Sequence, residues 1–127
     1  MRLVAVWLAL GGVALAADNV RLVYVREAGA LPMLGATAGS DPIGFLSLKE
    51  HNSFTTEAFV LGVKPDWHRK GVGRRLFQNA ETSLRARGVS FFTVKTVAAP
   101  DDDPVYGATR RFYEAMGFMP VETFPKL

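Results

Sequence analysis

The residues with the clearest chemical potential lie in Val63-Lys64-Pro65-Asp66-Trp67-His68-Arg69-Lys70-Gly71-Val72-Gly73-Arg74-Arg75-Leu76. A run of β-type residues ends at Pro65-Asp66, and a helical pattern starts at the glycines. The first turn of a helix has backbone N–H groups without intrahelical partners and carries the positive end of the helix dipole. Phosphate oxygens suit such a site. Gly71 and Gly73 leave no side chain between backbone and ligand and permit unusual backbone angles. Arg69, Lys70 and Arg74 add positive charge around the same spot. The run is not a Walker A loop, because no Gly-Lys-Ser/Thr follows a longer glycine loop, and it lacks the third glycine of a dinucleotide fingerprint. The pattern fits a phosphate-binding turn, and equally a solvated basic helix start whose glycines serve a tight turn.

Composition removes several other chemistries. The chain has no cysteine, so disulfides, thiolate zinc sites and cysteine nucleophiles are excluded. His51 and His68 are the only histidines, which argues against a multi-histidine metal site; no metal is expected. The run Asp101-Asp102-Asp103 lacks any further ligand pattern and reads as a solvated loop, one that could attract a cationic amine or favour the following helix N-terminus. The net charge of +3 is too mild to imply nucleic acid, and no aromatic interleaving or recognition-helix motif accompanies the basic patch. No nucleic-acid partner is expected.

The elements that must position the turn follow from periodicity. At 127 residues, 49% apolar and 21% charged, the chain reads as a single domain, 1–127. Val20 to Glu27 alternates as a half-buried strand does, and Ile43 to Leu48 and Phe54 to Val63 are further strands. Ala28 to Asp41, rich in Gly and Ala, reads as a loop, and His51-Asn52-Ser53 as a turn. Gly62, inside its strand, marks a bulge or a close backbone approach. Val72, Leu76, Phe77, Ala80 and Leu84 share one helix face, and Gly88 follows as a stop. Val89 to Val97 is a strand rich in β-branched and aromatic residues. Tyr106 to Met116 is a second helix with Ala108, Phe112, Ala115 and Met116 on one face, closed by Gly117, and Phe118 to Phe124 is a last extended segment. The fold class is α/β, or α+β with a mixed sheet: a meander leading into a strand-helix-strand crossover. Residues 1–19 are apolar after Arg2 and too short for a membrane span. They read either as a buried element or as a secretory signal with a small-residue site at Ala14-Leu15-Ala16.

Two motifs resemble the GNAT superfamily of acyl-CoA-dependent N-acetyltransferases. His68 to Gly73 is similar to the coenzyme A signature Gln/Arg-x-x-Gly-x-Gly/Ala, with His68 at the Gln/Arg position and Gly71 and Gly73 at the glycines. Thr109-Arg110-Arg111-Phe112-Tyr113-Glu114-Ala115-Met116-Gly117-Phe118 is similar to the later helix, with its tyrosine, three residues, then Gly-Phe. The similarity spans residues 41–118. It implies acetyl-CoA as cofactor, its pyrophosphate held by His68, Arg69, Lys70, Gly71, Val72, Gly73 and Arg74. The backbone of Leu61, Gly62 and Val63, on a strand splayed from its neighbour, would hold the pantetheine arm. Tyr113 would protonate the departing thiolate, as a phenol protonated at neutral pH can do. Tyr106 stands where many members carry Asn, which leaves that residue's contacts without an owner.

An amine acceptor must lose a proton, and the resemblance assigns this to a carboxylate on the third strand. Glu57 is the candidate, acting directly or through water. It shares strand parity with Phe59 and Leu61, which directs it toward an apolar face; an edge-strand Glu turned to solvent is the competing reading. Glu50 and His51 are weaker alternatives. The resemblance implies a cytoplasmic N-acetyltransferase acting on a primary amine of a small molecule or protein, an exported protein if residues 1–17 are a signal. A non-catalytic acyl-CoA-binding module is the alternative. Both ends are short relative to the family, with the N-terminal helices and last strand reduced or missing. A truncated frame, completion by a second subunit in a homodimer and a minimal variant all fit.

Overall fold

The computed structural model describes residues 2–6, 19–96 and 104–122. The expectations attached to residues 7–18 and to the acidic run 101–103 lie outside them. One six-stranded sheet organises the fold, in the order β1-β6-β5-β4-β3-β2. The strands are β1 (Arg2–Val6), β2 (Val20–Val25), β3 (Met33–Ala38), β4 (Asp41–Asn52), β5 (Thr55–Val63) and β6 (Phe91–Thr96). Helix α1 (Val72–Ala86) links β5 to β6, and α2 (Pro104–Ala115) follows β6. All neighbours are antiparallel except β5 and β6, whose parallel pairing is what a helical crossover produces. The result is the mixed α/β sheet that the sequence implies.

Three elements differ from the sequence reading. Met33–Ala38 is a strand, not loop: Leu34 and Ala36 are buried while their neighbours are less so, a period of two hidden by small residues. β4 continues through His51 and Asn52, and the turn falls at Ser53-Phe54, where the Phe54 N–H donates to Asn52 Oδ1 at 2.8 Å. Phe118 to Glu122 joins no strand; residues 123–124 are outside the described set. Phe118 is instead buried against Phe77, Phe92 and Tyr113.

α1 lies across β3, β4 and β5. It buries Val72, Leu76, Phe77, Ala80 and Leu84 at helical spacing, as its sequence period requires, against Leu34, Ala36, Leu46, Leu48 and Ala58 of the sheet. Its end is a left-handed glycine stop: Gly88 has φ +80°, its N–H donates to Arg85 O, and the Val89 N–H donates to Leu84 O. α2 opens two residues earlier than its apolar pattern indicates, at Pro104, whose fixed φ and missing N–H cost nothing in a first turn. Its inward face is Phe112 and Tyr113, continued by Met116; Ala108 and Ala115 are exposed, contrary to the pattern-based face.

Candidate active site

The site is built around the link from β5 to α1. A single 3-10 turn, Pro65–Trp67, ends β5, with the Trp67 N–H on Lys64 O and the His68 N–H on Pro65 O. Arg69 (φ +61°) and Gly71 (φ +81°) then take left-handed backbone conformations. For Arg69 this costs on the order of 1 kcal/mol; for Gly71 it is nearly free. Gly71 is the N-cap of α1 and offers no side-chain cap, and the first intrahelical bond is Arg75 N–H to Gly71 O at 3.0 Å. The N–H groups of Val72, Gly73 and Arg74 are therefore presented without a side-chain acceptor, together with the helix dipole.

These groups border a cavity of about 890 Å³. Leu61 and Val63 of β5, then Trp67, His68, Arg69 and Gly71, form one wall, and Val72, Gly73 and Arg74 form the helix end. Pro104, Ala108, Thr109, Phe112 and Tyr113 of α2 form the other wall. A Cβ at Gly73 would sit 3.3 Å from Phe112 Cζ and 3.9 Å from Leu61 Cδ2, so glycine sets how closely α1, α2 and β5 converge. Val72 turns its side chain to the core, 2% exposed, and leaves only backbone for a ligand.

β5 and β6 diverge beside this cavity. They pair from Thr55↔Phe91 to Ala58↔Val94 and, among the described residues, no further. Phe59 to Val63 thus have β4 on one side and a fork on the other. A bulge at Phe59, between the pairs Leu48↔Ala58 and Ser47↔Val60, accompanies the divergence. His68 closes the end of the strand: its Nε2 is 2.7 Å from Val63 O, so the ring donates there. Gly62 is tight on the opposite sheet face, where a Cβ would meet the Phe45 ring at 2.6 Å.

Tyr113 is held from two directions. Its ring lies 5.9 Å from Phe77, 5.5 Å from Phe112 and 5.5 Å from Phe118, all tilted edge-to-face. α2 ends in a left-handed glycine motif: Gly117 has φ +96°, its N–H donates to Glu114 O, and the Phe118 N–H donates to Tyr113 O. The spacing Tyr113, three residues, Gly117-Phe118 is thus the geometry of that motif, which folds Phe118 back onto Tyr113. Burial pushes the Tyr113 phenol above its usual titration range, so it is a proton donor at neutral pH.

Glu57 lies elsewhere. The bulge at Phe59 breaks the parity on which its expected direction rested: Ala58 and Leu61 face α1, and Glu57 faces the other way, alongside Lys49 and Thr93. It is neither at a sheet edge nor turned to solvent, being 2% exposed between β4 and β6. Its Oε1 is 2.7 Å from His51 Nε2 and 3.3 Å from Lys95 Nζ. Among the expected site residues, Tyr113, Leu61, Val63, His68, Arg69, Gly71, Val72, Gly73 and Arg74 converge on the cavity, while Glu57, Gly62 and Lys70 do not. The Lys70 ammonium sits over the Trp67 ring at 5.0 Å. Glu50 is engaged by Arg26 at 3.1 Å and by Arg87 at 3.5 Å. Trp67, Thr109 and Lys95 were not anticipated. Lys95 was readable only with the β5–β6 register in hand, which puts it two residues beyond Thr93, the partner of Glu57. Among the described residues no cluster of three or more metal-ligating side chains exists, and no helix is long and apolar enough to cross a membrane.

Residues 22–120 match the family model described as an acetyltransferase (GNAT) domain. The chain belongs to the GNAT acetyltransferase family. Solved GNAT structures share its fold. A GCN5-related N-acetyltransferase from Kribbella flavida is 15% identical, with a TM-score of 0.65 over 97% of this chain and 56% of its own. A ribosomal-protein-alanine N-acetyltransferase from Brucella melitensis is 19% identical, with a TM-score of 0.55 over 69% and 64%. An aminoglycoside N-acetyltransferase solved in complex with CoA is 18% identical, with a TM-score of 0.59 over 80% and 66%. The chain spans less than two thirds of the length of each of these GNAT proteins. A search of curated proteins returns no match.

The GNAT family implies acetyl-CoA, and the residues present fit it. The uncapped N–H groups at the start of α1 suit a pyrophosphate, and the Gly73 approach would be filled by a larger side chain. Arg69 and Arg74 supply charge at the same end of the cavity.

Proposed function

We propose that this GNAT-family protein is an N-acetyltransferase that moves an acetyl group from acetyl-CoA to a primary amine of a small molecule or protein. The observation that carries the reading is the convergence, on one cavity, of an uncapped helix start, the forked end of β5 and a partly buried phenol. An anion hole alone would serve many phosphate ligands. A fork beside it accommodates an extended amide-bearing arm, and a phenol kept protonated by burial suits the exit of a thiolate. The acceptor class is supported by the likeness to enzymes named for alanine and aminoglycoside N-acetylation.

In this mechanism the N–H groups of Val72, Gly73 and Arg74, with Arg69 and Arg74, bind pyrophosphate oxygens. The backbone of Leu61, Gly62 and Val63, without a β6 partner among the described residues, would hydrogen-bond the pantetheine arm. Bound acetyl-CoA supplies a thioester carbonyl open to attack by an amine. Tyr113 gives its hydroxyl proton to the departing sulfur. The cluster of Glu57, His51 and Lys95, on the other side of the fork, receives the proton the amine loses. Thiol release from acetyl-CoA, measured across a panel of primary amines, tests the reading. Release that depends on the amine supports it. Tight CoA binding with no transfer to any amine refutes it in favour of a binding module.

A further inference from the structure

Glu57 is the only carboxylate placed at the fork among the described residues, yet it is badly disposed to meet an amine itself. It is 2% exposed, and one oxygen already faces two nitrogens, His51 Nε2 at 2.7 Å and Lys95 Nζ at 3.3 Å. His51 has the opposite character: its side chain is 38% exposed. It occupies a β-bulge of its own, between the pairs Glu50↔Thr56 and Asn52↔Thr55, a device that re-aims a side chain. A carboxylate can only accept, so the short contact requires a proton on Nε2. A neutral His51 ring then carries its lone pair on Nδ1, which makes no hydrogen bond among the described residues.

From this geometry we infer that His51 Nδ1 takes the acceptor amine's proton, and that Glu57 is a positioning residue that fixes the ring and its tautomer. The inference rests on the acetyltransferase reading above. The placement supports it. Thr93 is the partner of Glu57, one pair before the fork opens, and Lys95 lies just past the last paired residue, Val94. The cavity holding Tyr113 lies on the α1 side of the sheet, and the His51–Glu57 pair lies on the other. Of the two side chains, 38% of His51 and 3% of Glu57 is exposed, so a group reaching the pair from solvent meets His51 before Glu57. Glu57 faces the His51 ring from β5, and Lys95 of β6 meets the same Glu57 oxygen. On its own strand, Lys49 lies over the Phe59 ring at 5.2 Å, and Glu50 is turned to Arg26 and Arg87.

The protons balance. The substrate ammonium gives one proton to Nδ1, and the freed nitrogen lone pair forms the C–N bond to the thioester carbonyl carbon. The C–S bond breaks with its electron pair on sulfur, which takes the Tyr113 proton. The second proton leaving nitrogen restores Tyr113 through water, and the imidazolium discharges to solvent.

The test uses the full chain with His51→Ala, His51→Gln and Glu57→Gln, each checked for folding by its melting curve. Amine-dependent turnover should fall on the order of 100-fold in both His51 variants. Added imidazole should recover part of it in His51→Ala, and Glu57→Gln should lose less than either. Nitrogen-15 NMR of the resting protein should show the Nε2–H tautomer, mixed with Nδ1–H in Glu57→Gln. Undiminished turnover in His51→Ala, or abolition in Glu57→Gln with no imidazole rescue of His51→Ala, overturns the inference and leaves the acetyltransferase reading intact. An Nδ1–H tautomer in the wild type overturns it whatever the activity. A wild type that releases no thiol with any amine refutes both.

Discussion

Gly71 and Gly88 flank α1 with nearly the same backbone conformation, φ +81° and +80°, and so form a matched pair of perturbations. An alanine at either must hold a left-handed conformation, at a cost of about 1–2 kcal/mol. With an unfolding entropy of roughly 2.1 cal/mol/K per residue, this lowers Tm by about 4–7 °C in a chain of this size. A Cβ added at Gly88 would meet open space, and this residue lies about 25 Å along the helix from Gly71. Gly88→Ala should therefore lower Tm without altering CoA affinity. Gly71 is the N-cap of α1 and lines the cavity, so strain there is relieved by rotating the turn that aims the Val72, Gly73 and Arg74 N–H groups. Gly71→Ala should show a similar fall in Tm and a loss of CoA affinity of about tenfold or more, the equivalent of about 1.4 kcal/mol. Calorimetric titration with CoA, beside melting curves of the three proteins, reads both quantities. Equal CoA affinities in Gly71→Ala and Gly88→Ala would refute the assignment of pyrophosphate binding to this turn.

Other perturbations separate the remaining parts. Phe77→Ala removes a ring that is 0% exposed and packs on Phe92, Phe112, Tyr113 and Phe118; about 3–5 kcal/mol of stability should be lost in denaturant melts, with CoA affinity falling as the α2 wall loosens. Tyr113→Phe should lower turnover by about 100-fold or more while leaving CoA affinity within a few-fold, measured as thiol release and by titration. Because burial raises the folded-state titration of this phenol, folding stability holds below the unfolded value of about 10 and declines as pH rises through the folded value; Tyr113→Phe should abolish that alkaline decline. The Arg26 guanidinium holds Glu50 below its ordinary range against a smaller opposing effect of burial, with Arg87 assisting. Its stabilising contribution is therefore present above about pH 4.5 and is lost as pH falls through the depressed value, and Glu50→Gln should flatten that part of an acid titration.

The parts of the fold legible in the sequence are those where side-chain size and period agree. α1 was readable because Val72, Leu76, Ala80 and Leu84 recur at helical spacing and Gly88 ends them. β3 was obscured because Gly35 to Ala38 are small residues, and its burial of Leu34 and Ala36 is set by pairing with β2 and β4. The turn at His68 to Gly73 was readable because its chemistry is mostly backbone, which glycine announces. The spacing of Tyr113, Gly117 and Phe118 is visible as a pattern, and its cause, a helix stop folding one ring onto another, is visible only in the fold. Glu57 was misdirected for a definite reason. Strand parity is a strict period of two, and one extra residue at Phe59 reverses it. Bulges leave little trace in composition, so neither the inversion of Glu57 nor its meeting with His51 and Lys95 was accessible from spacing.

The central claim is that the forked end of β5 and the uncapped start of α1 together hold acyl-CoA. Two-dimensional amide NMR of the protein titrated with CoA tests it residue by residue. The largest shifts should fall on the amides of Val72, Gly73 and Arg74, followed by those of Leu61, Gly62 and Val63. Saturation with CoA that leaves all six unmoved, or no binding at about 1 mM, would contradict the account.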